Sequence, residues 1–165
     1  MTRILPLLAA VLLLLAPHPA QALDDAHWRK ADAAIERGIA FLRTTQNPDG
    51  SWTPEPGPAI TALVVQTFLD RPDIAADDPA VTKAIDYILT FVREDGGIHA
   101  GILENYNTAI ALSALSRVNH RPDVAQAVAG AQAYLKGLQW QAGMKDPHGK
   151  TIDENHPFYG GAGYG

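Results

Sequence analysis

No cysteine occurs in these 165 residues, and that absence removes disulfide staples, thiolate zinc sites and cysteine nucleophiles together. Clustered cations are also missing. The chain carries 13 basic and 18 acidic side chains, a net charge of -5, which argues against nucleic acid as the main partner because phosphate binding wants grouped Lys and Arg. Aromatic residues make up only 7%. The N-terminal apolar run from Leu5 to Ala16 is about 12 residues, short of the ~20 that span a bilayer. What remains is a core: with 47% hydrophobic residues the chain suffices for one domain, without the low hydrophobicity and high net charge of a disordered segment.

The first residues read as a secretory signal. Arg3 precedes the apolar run, and the small-residue site Ala20-Gln21-Ala22 leads into the acidic Leu23-Asp24-Asp25, the order of a cleavable leader. The spacing predicts a signal peptide over 1–22 and a mature domain over 23–165, exported to a periplasm or to the outside, with no transmembrane anchor after cleavage.

Three segments follow one template: Ala34-Ile35 then Phe41-Leu42-Arg43, Ala84-Ile85 then Phe91-Val92-Arg93, and Ala127-Val128 then Tyr134-Leu135-Lys136. Self-similarity at such a period marks stacked helical hairpins. The stripe Trp28, Ala31, Ile35, Ile39 and Leu42 predicts a first helix over 28–46, ended by Asn47-Pro48-Asp49-Gly50. Ile60, Leu63, Val64, Thr67 and Phe68 predict its partner, opened by Pro58 and closed by Arg71-Pro72-Asp73. Val81, Ala84, Ile85, Ile88 and Val92 start a second copy, turned by Asp95-Gly96-Gly97; Asn107 reads as the N-cap of its partner, and Arg121-Pro122-Asp123 repeats the terminator. A third outer helix is expected over 124–139. Beyond it the Gly- and His-containing stretch to Tyr164-Gly165 supplies no partner helix, so the chain holds about two and a half hairpins and reads as a fragment of a longer one.

The first turn, Gln46-Asn47-Pro48-Asp49-Gly50-Ser51-Trp52, resembles the QW motif of the squalene cyclase and prenyltransferase repeat superfamily. There the glutamine closes an outer helix, the Asp-Gly pair turns the chain, and the tryptophan packs over the glutamine amide. The residue types suit those roles: Gly tolerates positive φ, Asp caps backbone N–H groups, and Trp adds an apolar face with one donor. Later copies depart from the motif. Val92 and Ile98 replace glutamine and tryptophan in the second, while in the third Gln139 is retained and the Gly-rich stretch ending in Tyr164 looks like a displaced Gly-x-aromatic turn. The resemblance implies an all-α fold, an incomplete α/α toroid of two helical rings, and a structural role for Gln46, Asp49, Gly50 and Trp52.

Its chemistry is less legible. The Asp-x-Asp-Asp motif with which triterpene cyclases protonate their substrate does not occur; Asp77-Asp78-Pro79 reads as a helix cap. The Asp, Cys and His zinc site of protein prenyltransferases requires the cysteine that is missing, so no cofactor and no metal are expected from the resemblance. The remaining cluster is Asp146, His148, Asp153, Glu154 and His156 in the loop after the last helix. These residues offer imidazole and carboxylate ligands or an acid and base pair, or serve as loop caps and solvated groups. His99 and Glu104 near the second turn form a further candidate, Glu104 lying at the start of an inner helix. Two functions stay open: a terpenoid cyclase-like or transferase-like protein that binds or converts an isoprenoid-like apolar ligand, and a non-catalytic extracytoplasmic scaffold for protein or polysaccharide partners.

Overall fold

The computed structural model describes residues 24–53, 57–118 and 120–163. The signal peptide expected over 1–22 lies outside the described residues, as does Tyr164. The described residues are all-α: α1 (Asp25–Thr45), α2 (Ala59–Leu69), α3 (Pro79–Leu89), α4 (Glu104–Leu115) continued by a 3-10 turn (Ser116–Val118), and α5 (Pro122–Leu138). Among them the only β pairing is two isolated bridges, Val92 with Ile98 and Lys145 with Thr151.

Contacts in space divide the chain into two compact units between Arg37 and Gly38. The described part of the first unit is the opening of α1, started by Asp24, whose carboxylate accepts the His27 N–H at 2.8 Å. Its side chains are exposed, Trp28 at 60% and Ile35 at 48%, so the apolar stripe predicted for this helix is buried at Ile39 and half-buried at Leu42 only.

In the second unit α2 packs on α3 and α4, and α4 on α5. Phe68, Val65, Val81, Ile85, Ile88, Leu115, Val118 and Val124 are fully or almost fully buried between them. Burying a side chain of this size contributes about 1.5–3 kcal/mol, so the core holds without covalent staples. Asp78 caps α3 through the Ala80 N–H at 2.9 Å, as read from the sequence, and Pro79 takes the first helical position.

One turn geometry recurs. In the first copy the Asn47 N–H donates to Ser51 O and the Gly50 N–H to Asn47 O, at 2.9 and 3.0 Å; in the second, Arg93 to Gly97 and Gly96 to Arg93, at 2.8 and 3.0 Å; in the third, Trp140 to Gly161 and Gly160 to Trp140, at 2.8 and 2.9 Å. Gly50, Gly96 and Gly160 all have positive φ, at 99°, 89° and 76°, a region that side chains with a Cβ avoid. Residues 141–159 stand where Pro48-Asp49 and Glu94-Asp95 stand in the other copies.

Four readings change. Asn107 is not an N-cap: α4 starts at Glu104 behind Leu103, which is left-handed at φ 48°, and the Asn107 amide donates to the Ile102 and Leu103 carbonyls at 2.8 and 3.2 Å. Val92 does not extend the α3 stripe; α3 stops at Leu89 and Val92 enters the turn. Aligned on the turns, Phe41 and Tyr134 correspond to Tyr87, and Ala34-Ile35 and Ala127-Val128 to Ala80-Val81, so the second copy of the template sits one helical turn earlier than Ala84-Ile85. The same alignment gives Ala162, not Tyr164, the place of Trp52 in the third turn.

Candidate functional site

The first turn is built as a lock between neighbouring helices. Gln46 directly follows α1, and its amide donates to Gly50 O at 3.1 Å and to Ala80 O in α3 at 2.9 Å. Asp49 accepts from the Ser51 N–H and hydroxyl at 2.9 and 2.8 Å, and those two bonds hold its carboxyl below the usual range. The Trp52 indole N–H donates to Leu42 O at 2.7 Å, and its ring meets Phe68 edge-on at 5.7 Å between centroids. Arg43 grips Asp78 with two bonds, at 3.1 and 2.8 Å, and its guanidinium lies over the Phe68 ring, 5.2 Å from its centre. Each motif residue thus makes a structural bond here.

The second turn brings His99, Glu104 and Tyr134 together. His99 follows the turn, is 4% exposed, and accepts the Gly101 N–H on Nδ1 at 3.1 Å. Glu104 opens α4; one of its oxygens lies 3.8 Å from His99 Nδ1 and the other accepts the Tyr134 hydroxyl at 2.7 Å. Tyr134 comes from α5 and stacks obliquely on the imidazole, 5.7 Å between centroids. Burial and the adjacent Glu104 carboxylate push its phenol up to about 12, so it stays a donor at any physiological pH. The other ring nitrogen, Nε2, is buried and has no partner among the described residues. It faces Gly97, where a Cβ would come within 2.6 Å. A cavity of about 660 Å³ opens beside this group, lined by residues 90–95, His99 and Ala100. The arrangement provides a carboxylate with one tightly held phenol and one looser imidazole neighbour.

The third candidate resolves into loop architecture. His156 is buried, with Nε2 3.4 Å from an Asp146 oxygen and Nδ1 accepting the Phe158 N–H at 3.2 Å. Asp146 accepts from the His148 and Lys150 N–H groups at 2.9 and 2.8 Å; these bonds and the two histidines outweigh burial and hold its carboxyl below the ordinary value. Asp153 caps Asn155 at 2.9 Å. His148, Asp153 and Glu154 are exposed, so Asp146 and His156 pair while the other three point to water. No group of three His, Asp or Glu side chains among the described residues converges as a metal site. Within the loop Asp146-Pro147-His148-Gly149-Lys150 forms the recurring turn once more, Asp146 donating to Lys150 O and Gly149 to Asp146 O, both at 2.9 Å.

Tyr134 is the functional-site residue that sequence reasoning missed. It was visible as the aromatic of the helical template, but its meeting with Glu104 depends on how α4 and α5 pack.

Over a stretch of 70 residues, 41% of this chain, the sequence is 33% identical to the squalene–hopene cyclase of Bradyrhizobium diazoefficiens. The match spans 11% of that protein's length. No family model matches the chain, and no solved structure does. The likeness and the repeated helical hairpins agree on a squalene cyclase-like repeat.

Proposed function

We propose that this chain forms an arc of a squalene–hopene cyclase-like α/α toroid, exported after loss of residues 1–22, whose inner helices bind an isoprenoid-like apolar ligand. The observation that carries the reading is the surface of α2 and α4. Ile60 and Leu63 on α2, Ile102 and Leu103 before α4, and Tyr106 within it remain substantially exposed, although both helices already bury a full core face. Apolar side chains left in water on helices with satisfied cores mark binding surfaces. The partial likeness to a cyclase gives the ligand its class, a long hydrocarbon without charge.

Squalene presented in detergent micelles is the direct probe. Saturable binding that Leu63→Asp weakens at least tenfold, with helix content unchanged by circular dichroism, is expected. Binding equal in the wild type and in Leu63→Asp would overturn the reading. A scaffold for protein or polysaccharide partners is the second reading, favoured by the exposed His148, Asp153 and Glu154 on the closed loop over 141–159. It predicts that replacing these three by alanine removes partner binding and leaves squalene binding intact.

A further inference from the structure

Two histidines are buried among the described residues, His99 and His156. Each accepts through Nδ1 the backbone N–H two positions on, from Gly101 at 3.1 Å and from Phe158 at 3.2 Å. They differ in where the neighbouring carboxylate stands. Asp146 faces the opposite nitrogen of His156, 3.4 Å from Nε2, so the two contacts use separate atoms. Glu104 approaches His99 on Nδ1 itself, at 3.8 Å, too far for a hydrogen bond to the nitrogen that already holds Gly101. One atom thus has two alternative partners. An imidazole nitrogen receives an N–H only while it carries no proton, and donates to a carboxylate only when it carries one.

The segment held by that bond is strained. Gly101 has φ 90°, and Leu103 is left-handed at φ 48°, a conformation uncommon for a residue with a Cβ. Such outliers persist only where the surroundings enforce them, and they gather at switch segments. Two clamps enforce this one: His99 takes the Gly101 N–H, and the Asn107 amide holds the Ile102 and Leu103 carbonyls. The segment presents Ile102 and Leu103 to solvent, 66% and 46% exposed, and its first residues, His99 and Ala100, line the cavity of about 660 Å³. Releasing the His99 clamp therefore alters an apolar edge and a cavity wall together.

We propose that His99 is a proton-operated latch on residues 99–103: unprotonated at Nδ1 it holds the Gly101 N–H, and on taking up a proton there it drops that bond and pairs with Glu104. Imidazole is the side chain whose charge ordinarily changes between about pH 5 and 8. The groups around the ring favour the exchange. Glu104, from α4, offers the imidazolium a carboxylate oxygen, while its other oxygen is fixed by the Tyr134 hydroxyl from α5. Tyr134 stays a neutral donor throughout this range, its phenol pushed up to about 12 by burial and by Glu104. On the turn, Arg93 opposes a charge on His99 while Glu94 and Asp95 favour it; all three line the same cavity and are exposed, so water and salt screen them. The latch stands independently of the ligand reading.

Amide NMR of the chain, followed from about pH 8 to 5, tests it. The Gly101 amide is expected to move in one transition whose midpoint is that of the His99 ring, while the Gly50 amide, which donates to a backbone carbonyl, stays still. In His99→Asn the side-chain oxygen can accept the same N–H two positions on without titrating, so the Gly101 transition is expected to vanish with the fold kept. Glu104→Gln still accepts from Tyr134 but offers no charge to an imidazolium, and is expected to lower the midpoint by about one pH unit. A Gly101 amide that ignores pH, a transition that survives in His99→Asn, or a midpoint unmoved in Glu104→Gln would overturn the proposal.

Discussion

Trp52 shows how one side chain ties two helices. Its indole N–H satisfies a carbonyl at the end of α1 while its ring covers Phe68 in α2, so Trp52→Ala removes a hydrogen bond and an aromatic contact together. The ring is half-buried, which places the expected loss at the lower end for aromatic truncations, about 3 kcal/mol, read by urea unfolding. Asp78 contributes through charge: the bidentate bond from Arg43 outweighs the burial that would raise its pKa, and the Ala80 N–H adds to the effect, so the folded value lies below the ordinary one. A carboxylate depressed in this way stabilises the fold at pH above the unfolded value of about 3.9, and the contribution is lost as pH falls through the folded value. Acid unfolding of Asp78→Asn should therefore show a shallower loss of stability below pH ~4 than the wild type. The turn at Gly50 and the cap at Asp78 were legible because each residue type has a narrow set of local uses, whereas the partners Trp52 takes, Leu42 O and Phe68, were not given by local sequence. Glu104 was legible as a position but not as a partner, since Tyr134 lies on another helix and no local spacing links the two.

At the level of elements, the helices were readable from periodicity and their ends from Pro and Gly, with errors where the backbone did something unusual. A left-handed Leu103 launches α4 ahead of Asn107, and leucine gives no sequence cue for that conformation. The loop over 141–159 misled in a different way: five acidic and imidazole side chains close in sequence suggested a site, yet Asp146 and His156 face each other and cap the loop's own backbone. Its two roots are already joined by the Trp140 and Gly160 bonds, so the turn does not require it. Replacing 141–159 by Pro-Asp, as in the first copy, should leave α5 and the third turn folded. Hydrogen exchange at the Gly160 amide is expected to remain as slow as in the parent chain, whereas exchange as fast as in an open peptide would show that the loop holds the turn and not the reverse.

Across the molecule, the repeat was evident from sequence because its template residues survive, whereas the seating of α3 on Gly50 and of α5 on Gly96 was not, since those contacts join residues far apart in the chain. The four copies of one hydrogen-bonded turn, two between helices, one after α5 and one nested inside a loop, share little sequence beyond the glycine at the positive φ. A single backbone motif therefore tolerates a two-residue or a nineteen-residue crossing at the same place. For an engineer this makes Trp140 and Gly160 a ready-made splice point: a foreign domain whose own termini lie side by side could be grafted between them, as a fluorescent or affinity reporter, without asking α5 to move.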